Sequence, residues 1–189
     1  KKLKLAKIHF SSTHLFTPTM SPLILLALVV AVESGCGGIS DTEIAGFLNE
    51  HNTLRRNISE DKFTAKGTPM PAASTPIPAL TWDCALEQSA QTWAKGCDYK
   101  QHSISLTGKG AEASKSWAKE FQDYGWKNIN LTSEVLKTGI GHATQMAAAR
   151  STKIGCGMQK CGSGTVAVVV CQYSLHGNML NINTYPPKL

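Results

Sequence analysis

Residues 154–173 read IGCGMQKCGSGTVAVVVCQY. Thr165 to Tyr173 is dominated by β-branched residues, and with Ile154 to Lys160 it is predicted to form a pair of strands. Cys161-Gly162-Ser163-Gly164 supplies the turn between them. In such a hairpin Cys156 and Cys171 come nearly opposite, so a bridge between them is expected.

Upstream of this pair the hydrophobic period becomes helical. Ser40 or Asp41 can cap a helix that runs to about Asn57, with Ile44, Phe47, Leu48, His51 and Leu54 on one face. His51 therefore sits on the apolar stripe, where it is read as a core histidine satisfied by hydrogen bonds rather than as a ligand. Residues 66–80 (KGTPMPAASTPIPAL) hold four of the eight prolines and are expected to be an irregular loop. Asp83 then caps a second helix, about Cys84 to Gly96, with Leu86, Ala90, Trp93 and Ala94 inward. A third helix is predicted from Ala111 to Tyr124, with Ala113, Trp117, Glu120, Phe121 and Tyr124 along its stripe. His142 opens a short helical run, GHATQMAAAR, and the tail after the second strand returns to loop. Helices around a short antiparallel sheet predict an α+β, three-layer domain.

The chain of 189 residues has room for one domain. With 42% hydrophobic and 17% charged residues it is neither a disordered segment nor a charged coil. The formal charge of +6 raises nucleic acid as a partner, but its placement removes that reading. Four lysines lie in KKLKLAK at residues 1–7, ahead of ten consecutive apolar residues, Leu23 to Val32. Ten is too short for a membrane span, which takes about 20 residues, and matches the core of a signal peptide. Residues 1–19 are read as upstream leader and 20–34 as a signal peptide that starts at Met20 and is cleaved near Ser34. The alternative keeps KKLKLAK as a distant basic region of the same signal. Setting aside four lysines and Glu33 leaves 15 basic against 12 acidic residues, a net of +3. No basic run of five or more remains, so neither nucleic acid nor a membrane span is expected.

Export into an oxidising compartment predicts that Cys36, Cys84, Cys97, Cys156, Cys161 and Cys171 form three bridges. Their spacing contains no CxxC metal motif. Cys84 and Cys97 stand about 20 Å apart along the second helix, whereas bridged Cα atoms lie within roughly 7 Å. These two are therefore not partners; the remaining pairings stay open. Asn57-Ile58-Ser59 and Asn130-Leu131-Thr132 are candidate glycosylation sequons.

No GxSxG, HExxH, Walker or GxGxxG signature is present. Glu120 is the informative residue, because its place on the apolar stripe puts a carboxylate where burial is costly unless it is paired or ligated. Its alternative is a position at the stripe's edge, reaching water. With His102 and His142, Glu120 composes a set able to hold Zn²⁺ with one coordination position open.

Several blocks carry a family resemblance. Gly141-His142-Ala143-Thr144-Gln145-Met146, Ile154-Gly155-Cys156, Val169-Val170-Cys171-Gln172-Tyr173 and Gly177-Asn178 resemble the signature of the CAP superfamily. That superfamily holds sperm-coating proteins, insect venom allergens, plant pathogenesis-related type 1 proteins and nematode secreted proteins. His51-Asn52 with Leu54-Arg55, Leu80-Thr81-Trp82-Asp83, Gln101-His102-Ser103 and Ser116-Trp117-Ala118-Lys119-Glu120 match further blocks in order. The cysteine count and the Asp83-Cys84 pair look most like nematode Ancylostoma-type activation-associated secreted proteins.

The resemblance implies an α-β-α sandwich over residues 35–189, stapled by disulfides, with a central cleft. It also implies that His102, Glu120 and His142 stand where members hold a divalent metal. The second family glutamate, in a Gly-Glu-Asn block, has no counterpart here, so the domain is expected to be shortened around 104–112. Ala143 and Ala148 replace larger residues of the family, which predicts a less filled cleft edge. The function implied is that of a secreted, extracellular, non-enzymatic binding or effector protein, taking sterol, fatty acid or host proteins. A hydrolase using His102 or His142 with Glu120, and a degenerate or truncated paralogue, are the competing expectations.

Overall fold

Ser40 begins the first described helix by accepting the Glu43 N–H on its hydroxyl, and the chain then follows the periods of its sequence closely. The computed structural model describes residues 36–98, 109–164 and 166–188, and the backbone of 103–105. Helix α1 spans Asp41–Ser59, and a small hairpin joins β1 (Thr64–Ala65) to β2 (Thr68–Pro69). Strand β3 (Thr81–Trp82) leads into α2 (Cys84–Lys95), whose first amides are capped by Asp83. Strand β4 (Ser103–Ser105), helix α3 (Gly110–Tyr124), and the short helices α4 (Ser133–Leu136) and α5 (Gly141–Ala147) follow. Strands β5 (Lys153–Cys161) and β6 (Val166–Ser174) close the domain.

The sheet runs β3-β5-β6-β4, with β5 and β6 paired antiparallel over their full length. It is not wholly antiparallel as expected, since β3 joins β5 in parallel at Thr81↔Lys153 and Trp82↔Ile154. That edge comes from residues the sequence offered only as the approach to α2. The alternation of β6 divides the core into two layers. Val168 and Val170 pack with Ala90 and Ala94 of α2 on one face. Val169, Cys171 and Tyr173 turn to the other, where Phe47, Trp117, Phe121 and Trp126 form the main core under α1 and α3. The architecture is the α-β-α sandwich, with α2 on one side and α1, α3, α4 and α5 on the other.

Helix α2 lies on the sheet at backbone contact. A Cβ on Gly157 would overlap the Gln91 backbone, and one on Gly155 would overlap the Glu87 amide. Three disulfides join Cys36 to Cys84, Cys97 to Cys161 and Cys156 to Cys171. The last joins residues directly opposite in the β5–β6 ladder, and Cys84 and Cys97 take different partners.

Two side chains placed inward by periodicity face solvent instead: Trp93 is 56% and Tyr124 53% exposed. Each sits at a helix end or margin, where a stripe assigned by spacing alone extends past the surface its helix buries. On α2 Glu87 is buried beside Ala90 and Ala94, at 1% exposed. Its carboxylate accepts from the Gly38 and Ile39 N–H at 2.8 and 3.2 Å and from Trp82 Nε1 at 2.6 Å. Three donors replace the water that burial removes. They also bind the segment after Cys36 to the helix. The leader and signal segments proposed for residues 1–34 lie outside the described residues.

Candidate functional site

Glu120 leaves α3 at the margin of its buried stripe and meets the start of α5. Its side chain is 14% exposed, so water supplies little of its solvation. Three donors do so instead. Oε1 lies 2.6 Å from His142 Nδ1, while Oε2 accepts the backbone N–H of His142 at 3.0 Å and of Ala143 at 3.1 Å. The carboxylate caps α5 and grips the histidine carried on its first turn. Because an ionised carboxylate only accepts, Nδ1 carries the proton of a neutral His142. Nε2 is then the nitrogen with a lone pair. The His142 ring stacks on Trp117, with centroids 5.6 Å apart and planes 9° from parallel.

Behind Trp117 stands His51, edge-on at 6.4 Å and fully buried. Its Nδ1 lies 2.8 Å from the Phe47 carbonyl, which can only accept, so Nε2 receives the Tyr173 hydroxyl proton at 2.8 Å. Burial, with the nearby Arg55 charge, outweighs the Phe47 hydrogen bond and brings the His51 pKa down to about 4. The Tyr173 phenol is pushed up by its own burial. His51 is the satisfied core histidine the sequence suggested. Through Tyr173 it also supports the wall of the cleft.

Arg55, one turn further along α1, is 1% exposed and forms no salt bridge among the described residues. It donates instead to four carbonyls: Pro78 at 2.7 Å, Met146 and Ala148 at 2.9 Å each, and Ser151 at 2.7 Å. Burial lowers its pKa to about 10. The guanidinium ties the Pro-rich loop, the end of α5 and the approach to β5 to one helix.

Trp117, Glu120, His142 and Tyr173 border an open cleft of about 730 Å³, with His51 and Arg55 behind its walls. Trp117, Glu120 and His142 form one side, Val169 to Tyr173 the floor, and His176 and Asn178 the opposite rim. The rim is fixed by Gln145, whose Oε1 accepts the Gly177 and Asn178 N–H, and by Asn178, which donates to the Gly141 carbonyl. Of the residues proposed from sequence, Glu120 and His142 are brought together here, while His102 lies outside the described residues. Ala143 and Ala148 are both buried, and Ala148 packs against Gly177, where a Cβ would not fit. Asn57 lies in the last turns of α1, and Asn130 in a loop where its side-chain amide donates to Asn183 Oδ1. Sequence reasoning missed Tyr173 and His176 as cleft residues, since strand alternation gives a side but not what lies across it.

The matching family model is that of CAP, the cysteine-rich secretory protein family, over residues 48–173. The chain belongs to the CAP family. Venom allergen 3 of Solenopsis invicta is 29% identical over 198 residues, spanning 91% of this chain and 81% of that protein. Venom allergen 5 of Rhynchium brunneum is 34% identical over 173 residues, 78% of this chain and 74% of that protein. Among solved structures, BmVAL-1 superposes with a TM-score of 0.72 at 30% identity, covering 80% of this chain and 86% of that one. NaASP2, determined with Zn²⁺, gives 0.72 at 28% identity over 80% and 89% of the two chains. The relatives are venom allergen-like proteins of a secretory family, and this CAP chain shares their three-layer fold. No helix among the described residues is long and apolar enough to cross a membrane.

Proposed function

We propose that this CAP protein is a secreted, non-enzymatic binding or effector protein whose cleft holds a small, largely apolar ligand, with sterol or fatty acid the chemical class and host proteins the further partners. The observation that carries the reading is the cleft itself. Its 730 Å³ falls in the range of roughly 300–1,000 Å³ that small-molecule sites occupy. Trp117, Val169 and Tyr173 offer apolar surface, and His142 and His176 offer polar groups to orient a headgroup. A titration with fluorescent sterol and fatty acid tests this. Saturable binding supports it, and absence of saturation by both would move the function to protein partners.

A metal at the cleft is a second reading, favoured by the Glu120–His142 contact. A carboxylate behind a histidine Nδ1 orients Nε2 toward a metal and raises its basicity. Zn²⁺ here would rest on His142 Nε2 and His102, with Glu120 positioning the ring because its oxygens already accept three donors. When bound, zinc supplies a Lewis-acidic centre. Calorimetry with Zn²⁺ is expected to show binding that His142→Ala removes and Glu120→Gln weakens. Binding unchanged in His142→Ala would refute the site. Hydrolysis is disfavoured by the cleft's chemistry: Cys171 is committed to a disulfide and the Thr144 hydroxyl to the Ile140 carbonyl and Asn178. Peptide turnover lost in Glu120→Gln would reverse that ranking.

A further inference from the structure

Five large apolar side chains are exposed among the described residues, and three of them fall in one short segment: Leu175 at 58%, Leu180 at 55% and Ile182 at 46%. This segment is the cleft rim that carries His176 and Asn178. It is not a loose tail. The Ser151 hydroxyl donates to the Leu175 carbonyl at 2.6 Å, Gln145 holds the amides of Gly177 and Asn178, and Leu131 exchanges backbone hydrogen bonds with Asn181 and Ile182. Leu175 is held at φ 56° and Asn181 at 62°, the left-handed region that a leucine rarely adopts. A backbone anchored at so many points fixes these aliphatic side chains outward, against the tendency to bury them.

The stretch of sequence that carries the rim is one-sided in charge. The last acidic residue of the chain is Glu134, and residues 135–189 carry Lys137, Arg150, Lys153, Lys160 and Lys188 with no Asp or Glu. Arg150 is exposed between the two anchors of the ridge, because Ala149 N–H donates to the Thr184 carbonyl and Ser151 bonds to Leu175. Lys153 pairs in the ladder with Ser174, next to Leu175, and its ammonium reaches Asp83 at 3.0 Å.

We propose that this face docks on an anionic lipid bilayer. Leu175, Leu180 and Ile182 enter the boundary between headgroups and acyl chains, Arg150 meets the lipid anions, and the cleft mouth is held at the surface. Aliphatic insertion and attraction to anionic headgroups add in such interfacial sites. Protein–protein hot spots favour Trp, Tyr and Arg over Leu, so an aliphatic ridge fits lipid better than a protein partner. The docking does not require that the cleft itself bind a lipid.

Flotation of the disulfide-bonded chain with vesicles of phosphatidylcholine, with and without phosphatidylserine, tests the proposal. Binding is expected only with phosphatidylserine and is expected to weaken on the order of tenfold for each ridge side chain removed, in Leu175→Asn and Leu180→Ser. Arg150→Glu is expected to weaken it as well, and added salt to do the same. Leu175→Asn suits the left-handed backbone, and near-ultraviolet circular dichroism of each variant confirms the native fold. No flotation of the wild type, or flotation unchanged by both ridge substitutions, overturns the proposal. A concentration-dependent dimer that Leu180→Ser abolishes, without vesicle binding, assigns the ridge to a second copy of the chain instead.

Discussion

Protonating His51 is the perturbation whose cost the structure specifies most directly. The ring is fully buried, its Nδ1 donates to the Phe47 carbonyl and its Nε2 accepts from Tyr173, so a second proton would remove the acceptor that this hydroxyl uses. The charge would also form near Arg55, itself buried. The folded-state pKa is about 4 against an ordinary 6.5. Above pH 6.5 folded and unfolded chains both carry neutral His51. Between 6.5 and about 4 the unfolded chain takes up a proton that the folded chain refuses, so stability falls as pH falls. Below about 4 both are protonated and the loss levels off. At about 1.4 kcal/mol per pH unit, the interval amounts to about 3 kcal/mol. Urea unfolding across pH 7 to 4, disulfides intact, measures it. The difference between wild type and His51→Gln isolates the one site, because carboxylates such as Asp83, held low by Lys153 and by the α2 amides, contribute to both chains alike. Parallel stability curves for the two proteins would refute the buried neutral histidine.

Two further substitutions test what positions the cleft. Gly157→Ala is expected to lower stability by about 1–3 kcal/mol in urea, because its Cβ would meet the Gln91 backbone and push α2 from the sheet. Arg55→Met is expected to cost about 3 kcal/mol or more by leaving the carbonyls of Pro78, Met146, Ala148 and Ser151 without their donors. Because α5 also bears His142, loss of Arg55 is expected to broaden the nuclear magnetic resonance signals of that imidazole as well; a sharp, unshifted His142 spectrum would argue against the coupling.

Much of the frame was legible from residue order. Helices α1, α2 and α3, the β5–β6 hairpin and the Cys156–Cys171 bridge follow from periods of 3.6 and 2 and from local caps such as Ser40 and Asp83. Glu120 also declared itself, because a carboxylate on an apolar stripe needs a partner. Its partner His142 was one of two histidines grouped with it from residue type, and the resemblance of the GHATQM block pointed to the same residue.

What the sequence by itself determined is therefore whatever a few neighbouring residues decide: helix, strand, cap, turn, and the residue that breaks its own pattern. What only the tertiary structure decided is what distant segments do to one another. Periodicity cannot show that α2 buries Glu87 and leaves Trp93 exposed, because the donors that make burial tolerable come from Gly38, Ile39 and Trp82. Nor can it show that Arg55 is held by carbonyls as far along the chain as Ser151, or that Tyr173 bonds to His51 across the sheet. The free energy of a buried polar group depends on its partners, and the partners here meet only when the three layers close.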